Sequence, residues 1–443
     1  MRRSAITSRK TIGGRSGYWL TKLQRKIDKF DKKLSSRPLL LTVGVLALCT
    51  LVIILRKPEA FTHAQFWAED GVTWFQSAYN HGLRTTLFLP YSGTFSIFQR
   101  IIAYIATFLP LNYAPLFFNL SALACQLLPI FILNSKRLQP IVRYQLIAIV
   151  VSLLYVAINS QEVFVNLANV QWHFAIAAFL LLIASKPTSR LWVAFDVVVL
   201  MIAGLTGPIT FPLVIIAFLV WFNTRLRHSL LNLGVLIVTS LLQLISLFII
   251  EPGQRGYYHH LVWIDVIKMM VGQVFAGSIF GVKHVFYFYN SLHLWIALGV
   301  ALAIIAYAIR KGPSWLRYAN LYSLLLFVSV LFSLHPLAGV DVWGVLIDPG
   351  AGQRYWFIPI FVWLVTLLWV ALAAKSIIMR IVCICLIVLF VAMGIPSSWK
   401  IAPLPNLNYQ YYVSQCNQQK PGHLCEIPIN PGGVHWQMVL YKH

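Results

Sequence analysis

The sequence predicts an all-α polytopic membrane protein, and three observations predict it. Of 443 residues, 59% are hydrophobic and 11% charged, against about 45–50% apolar and roughly 25% charged in a soluble chain. Apolar runs such as Pro38–Leu55, Leu230–Ile250 and Ile378–Ile395 approach or exceed the roughly 18 residues that mark a spanning helix. Lys and Arg recur at every second junction between such runs. That regularity gives the net charge of +23 a meaning other than nucleic-acid binding. It is an orientation signal, so the expected partner is membrane lipid and not nucleic acid.

Residues 1–37 form the first element, a basic segment carrying Arg2, Arg3, Arg9, Lys10, Arg15, Lys22, Arg25, Lys26, Lys29, Lys32, Lys33 and Arg37 against Asp28 and Asp31. Such a segment stays in the cytoplasm, and it is too long and polar to be a cleaved signal peptide. Pro38–Leu55 then leads outward as a retained first helix. Lys136/Arg137/Arg143, Lys186/Arg190, Arg225/Arg227, Arg310/Lys311/Arg317 and Lys375/Arg380 mark the later inner turns. The other junctions hold Glu69/Asp70, Glu162, Glu251/Asp265 and Asp341/Asp348 and fall outside by alternation. The expected unit spans 38–395 with about eleven helices, N-terminus inside and C-terminus outside. The polar tail at 396–443 contains Cys416 and Cys425, a disulfide candidate if that segment is external. Cys49, Cys125, Cys383 and Cys385 sit in apolar spans and read as buried thiols.

Ionisable residues within a membrane are costly, so their placement is informative. Only Asp196 falls clearly inside a span, and it reads as a structural acid near the cytoplasmic end. Polar chemistry gathers instead in the external loops. The first loop, about 56–112, places Trp67, Asp70 and Trp74 on one face if residues 64–79 are helical. Glu69 and Asp70 lie there among Trp67, Trp74, Phe75 and Tyr79. A carboxylate at an apolar interface has a raised pKa and can act as a general base, and aromatic rings suit sugar faces. An amphipathic interfacial helix explains the same pattern. Ser96–Pro110 is too short to cross and return, and reads as a second surface-lying helix before a span at Tyr113–Leu133.

Further along, Glu162, Asn166 and Asn169 share a face if helical, offering donors and acceptors suited to hydroxyls. Gly204–Pro212 interrupts an apolar pattern and receives no chemical role. The loop from Glu251 to about Asn290 carries Arg255, Lys268 and Lys283, and Leu261–Phe280 within it reads as another surface helix. His259, His260 and His284 show no metal-ligand spacing. Arg354 precedes Tyr355-Trp356-Phe357 at the top of a helix. A fixed guanidinium there can bind a phosphate bidentately, with Arg255 and Lys283 behind it; helix anchoring at the headgroups is the other reading.

A large loop after the first helix, with surface helices and an acidic pair, resembles the GT-C glycosyltransferases. Trp67-Ala-Glu-Asp-Gly71, Pro90-Tyr91-Ser-Gly93 and Arg100 look like bacterial polytopic proteins of O-antigen glucosylation type. Asn166-x-x-Asn169-x-Gln171-Trp172, Gly204-Leu-Thr-Gly207-Pro208 and Gly352-Gln-Arg354-Tyr355 add to the likeness. The resemblance implies a GT-C-like fold in a bacterial inner membrane and inverting transfer of a sugar from undecaprenyl phosphate at the periplasmic face. The acceptor would be a polysaccharide or lipid-linked glycan, and a separate donor synthase and flippase would supply the donor. Asp70 and Glu69 would then be catalytic, with Trp67, Trp74, Tyr91, Glu162, Asn166 and Asn169 binding sugar or acceptor. The first loop lacks an Asp-x-Asp, and the chain lacks the large soluble C-terminal domain of oligosaccharyltransferases. Both argue against a metal-dependent, peptide-glycosylating relative, so no cofactor is expected, with a divalent metal left open. A lipid-linked sugar flippase or polysaccharide transporter is the alternative.

Overall fold

Residues 29, 31, 38–142, 144–250, 262–289, 292–333, 342–348, 350–433 and 435–442 are described by a computed structural model. Arg255, His259, His260 and Asp341 lie outside the described residues. Among those described, eight helices are long and apolar enough to cross a membrane. They are Pro38–Arg56, Leu111–Leu133, Arg227–Ile250, Trp263–Phe280, Leu292–Lys311, Ser314–Leu331, Gln353–Ala373 and Ile377–Ser398. The chain is a helical, polytopic membrane protein. Gln353–Ala373 lies at its centre, with 67% of its apolar window buried, against 17% for the peripheral Ile377–Ser398.

Among the described residues, eight helices reach spanning length, and other apolar helices are shorter. Gln145–Ala157, Val170–Ile183 and Arg190–Gly204 have 13, 14 and 15 residues, and so rise roughly 20–23 Å where the hydrocarbon core is about 30 Å. Irregular chain joins them. Residues 158–169 are largely non-helical, yet Ile158, Val163, Phe164 and Leu167 are completely buried. Irregular backbone is tolerated at such depth where protein covers it and meets its polar groups. Arg56 does part of that work. Its buried guanidinium sits 4.5 Å from the Phe164 ring centroid and donates to the carbonyls of Val156, Ile158, Ser398 and Trp399.

The break at Gly204–Pro212 has a comparable purpose. Ser96 pairs with Thr206, Gly207 N donates to Phe95 O at 3.1 Å, and the Gln243 amide bonds both Phe95 and Gly204. Gly207 has φ 107°, and a Cβ there would strike the Gln171 side chain. The glycine is therefore required twice, by its backbone angle and by the close approach.

Trp263–Phe280 departs from the surface helix expected over Leu261–Phe280. It enters the bundle, with Phe275 packed 5.1 Å from the Trp363 ring and Gln273 donating to the carbonyls of Leu346 and Asp348. From Val271 to Phe280 it carries no charged side chain, and its two polar ones, Gln273 and Ser278, are buried and hydrogen-bonded. At the bundle end remote from Arg354, Asp196 is 1% exposed and takes Arg137, not the nearer Arg190, as its partner. Two parallel bonds of 2.5 and 2.8 Å join them.

Among the described residues, the paired strands lie in the tail. Tyr409–Gln418 is a helix, and β1 (Leu424–Pro428) pairs antiparallel with β2 (Gln437–Tyr441). Cys416 and Cys425 are bonded, S–S 2.03 Å. The hairpin docks onto the first loop. Asn80 donates to Val439 O and accepts from Tyr441 N, while Val439 N donates to Gln76. Thiol reagents should leave Cys416 and Cys425 unmodified until the protein is reduced; ready alkylation of the mature protein would sink this bridge.

Candidate active site

Segments far apart in sequence meet at the Arg354 end of the bundle. Ala68 has φ 44°, a left-handed angle uncommon for a residue with a Cβ. It is held there by donating its N–H to Asn430 O at 2.6 Å. The helix begins only afterwards, as a π turn over Asp70–Phe75 running into Gln76–Thr86. Trp67 therefore lies outside the helix and bridges to Asn430. The expected shared face of Trp67, Asp70 and Trp74 does not form, because the left-handed residue at Ala68 intervenes.

Asp70 is 1% exposed. Its Oδ2 accepts from Leu167 N at 3.0 Å, while its buried Oδ1 has no partner. Burial pushes this carboxyl up to about 8. The Leu167 and Ala168 amides oppose the rise, adjacent Glu69 adds to it, and Lys57 opposes it. Lys57 donates to Phe164 O at 2.8 Å. Burial pulls its ammonium down to about 8, although Asp70 and Glu59 favour the charge.

Glu69 is half-buried and accepts from the Tyr91 hydroxyl at 3.3 Å. Burial first, and Glu69 second, push the Tyr91 phenol up to about 12. Tyr91 packs edge-on against Trp74, ring centroids 5.2 Å apart. Buried Arg100 lies 4.9 Å from the Trp74 ring and donates to the carbonyls of Thr73 and Leu89. Its role is to fix the loop's shape.

The second loop supplies Glu162, whose Oε2 accepts from Arg354 N at 3.2 Å and lies 3.7 Å from Arg354 Nη1. Asn166 and Asn169 do not share a helical face with it, since only Gln161–Val163 is helical, as one 3₁₀ turn. Both amides donate to Glu162 O, and Asn169 N donates to Asn166 Oδ1 at 3.1 Å. These buried amides satisfy a loop that lacks regular hydrogen bonding. They build the wall that carries Glu162 and the Leu167 amide.

Arg354 follows Gly352, whose φ of 57° turns the chain into the central helix. The neighbouring Gln353 accepts from Gln161 N at 2.5 Å and from the Ser160 hydroxyl at 3.0 Å. The guanidinium lies 4.9 Å from the Tyr355 ring and bonds its hydroxyl at 3.2 Å. It is close enough to Glu69 and Tyr91 for their charges to interact. Lys283 is exposed on a 3₁₀ segment, and no hydrogen bond or ion pair joins it to this cluster.

The structure thus gathers Lys57, Glu69, Asp70, Tyr91, Glu162 and Arg354, with a base-capable acid deep and a guanidinium above. Sequence reasoning passed over Lys57, although Arg56-Lys57 is a pair of cations at the C-terminal end of the first helix. Among the described residues, no group of three His, Cys, Asp or Glu side chains is placed to hold a metal. Family models, curated proteins and solved structures yield no match to this chain, so its chemistry is argued from this geometry.

Proposed function

We propose that the chain is an inverting GT-C-type glycosyltransferase of a bacterial inner membrane. In this reading the short helices also cross, giving about eleven passages with the N-terminus cytoplasmic and the tail periplasmic. The donor is a sugar on undecaprenyl phosphate, and the acceptor is an O-antigen-type polysaccharide or lipid-linked glycan. One observation carries the reading: a buried carboxylate, Asp70, with an unpartnered oxygen is linked to Arg354 through Glu69, whose charge reaches both.

The acceptor hydroxyl attacks the anomeric carbon from the face opposite the phosphate. A new C–O bond forms, the bond from the anomeric carbon to the phosphate oxygen breaks, and the hydroxyl proton passes to Asp70 Oδ1. Negative charge builds on the departing lipid phosphate, where Arg354 meets it through two N–H groups. Glu162 and the Tyr355 hydroxyl hold the guanidinium in place. Glu69 and Tyr91 orient the acceptor.

Purified protein should transfer sugar from at least one of a panel of polyprenyl-phosphate sugars to a lipid-linked acceptor. Arg354→Ala should lower donor kcat/KM by about 10²–10³, and Arg354→Lys, which lacks the planar fork, should recover only part of it. Unchanged kinetics in folded Arg354→Ala would return this residue to helix anchoring. No transfer, with translocation of the lipid-linked sugar in proteoliposomes, would replace the reading with a flippase.

A further inference from the structure

A recess beside this cluster is lined in part by Lys57. It encloses about 140 Å³ between the first loop, Asn119 and residues 402–406 of the tail. That is the share of roughly five waters, small for a drug-sized ligand but sufficient for a single ring. Its walls include Lys57, Glu59, His63, Gln65, Trp67 and Asn119.

The walls are unusual in being neutral overall, amphoteric and rigid. Lys57 has three donors, of which Phe164 O takes one. The Glu59 Oε2 is buried and has no hydrogen-bond partner. Asn119 is fixed by donating to Ala60 O at 2.7 Å. Gln65 is fixed at both ends, donating to Pro405 O and accepting from Leu407 N, each at 3.2 Å. Trp67 contributes an aromatic surface and is itself held by the bridge to Asn430. An ammonium balanced by a carboxylate disfavours an anion such as phosphate. Paired donors and acceptors beside an indole suit a neutral ligand with several hydroxyls and an apolar C–H face.

We propose that this recess binds one sugar residue of the acceptor glycan, an inference that rests on the transferase reading and adds to it the place where the acceptor is held. Lys57 links the recess to the cluster around Asp70, since it lines the recess with Glu59 and its charge is felt by both carboxyls. Trp67 has the aromatic role expected of it, but in this recess and not on a face shared with Asp70. Specificity for the acceptor then depends on the first loop and the tail together.

The test uses the full chain in detergent and a panel of methyl hexopyranosides of gluco, galacto, manno and rhamno configuration, read by saturation-transfer NMR. At least one glycoside should bind. Trp67→Ala and Glu59→Gln should each weaken that binding tenfold or more, while Trp67→Phe retains it. Asp70→Asn should bind as the parent does. With lipid-linked acceptor, Trp67→Ala should raise acceptor KM at least tenfold and leave donor KM unchanged. No glycoside binding, binding indifferent to Trp67→Ala and Glu59→Gln, or binding of inorganic phosphate in place of any glycoside would overturn the proposal. Glycoside binding with the expected variant pattern, but no transfer from any polyprenyl-phosphate sugar, would overturn the transferase reading and leave the recess as a sugar site.

Discussion

Asp70→Asn should abolish sugar transfer while leaving the fold and donor binding intact. Loss of a positioned general base costs about 10²–10⁴ in rate. The substitution keeps the acceptor oxygen for the Leu167 amide, so the second loop stays docked. Since the base works deprotonated and burial raises its carboxyl to about 8, wild-type kcat/KM should climb as pH rises through that region. The stability effect has the opposite sign. A carboxyl whose folded pKa exceeds its unfolded value of about 3.9 stabilises most below that value, and the contribution is lost as pH rises toward 8. Asp70→Asn cannot ionise, so at pH 9 it should melt above wild type, and the gap should shrink at pH 5. Glu69→Gln should be the milder change, because Glu69 is half-buried and bonded only to Tyr91. Near-normal turnover by Asp70→Asn with an inactive Glu69→Gln would reverse the two roles.

The largest stability effect is expected far from this chemistry, at Asp196. Removing one partner of a buried ion pair costs about 3–5 kcal/mol, because the other charge is left uncompensated. Asp196→Ala would strand Arg137, whose side chain is 6% exposed. Its guanidinium would keep only the Ser185 carbonyl at 3.0 Å and the Trp192 ring at 5.4 Å. Unfolding by SDS titration in mixed micelles should show that loss, and Arg137→Met with Asp196→Leu together should restore most of it. Wild-type stability in Asp196→Ala would show that the pair contributes nothing. Activity per folded molecule should be unchanged in either case.

How much of this was legible in the sequence depended on the range of the forces involved. The first helix, the cationic turns and the position of Arg354 follow from hydropathy and charge order, which are local and periodic. The pair Glu69/Asp70 was conspicuous for the same reason: acids are scarce in this chain. The face assigned to Trp67 failed on a single dihedral angle at Ala68, set by a carbonyl 362 positions later. Asn166 and Asn169 were read as facing ligand with Glu162 on one helical face. In fact 158–169 is largely buried and non-helical, and these amides serve the backbone. The sequence has no periodic signal for either case. Lys57 was visible as a cation beside Arg56 at the end of the first helix, and that pairing was its only signal.

The docked tail also sets an order of events during biogenesis. Residues 402–442 follow every described helix of spanning length, so the ribosome makes them after those helices. Until they emerge and fold, Ala68 has no Asn430 to hold it, Gln76 and Asn80 have no hairpin, and the recess beside Trp67 has no outer wall. A chain stalled just after Ile377–Ser398 would therefore carry all eight described helices of spanning length and still lack a folded first loop. That loop reaches its final shape in one late step, when the C-terminal hairpin docks onto it.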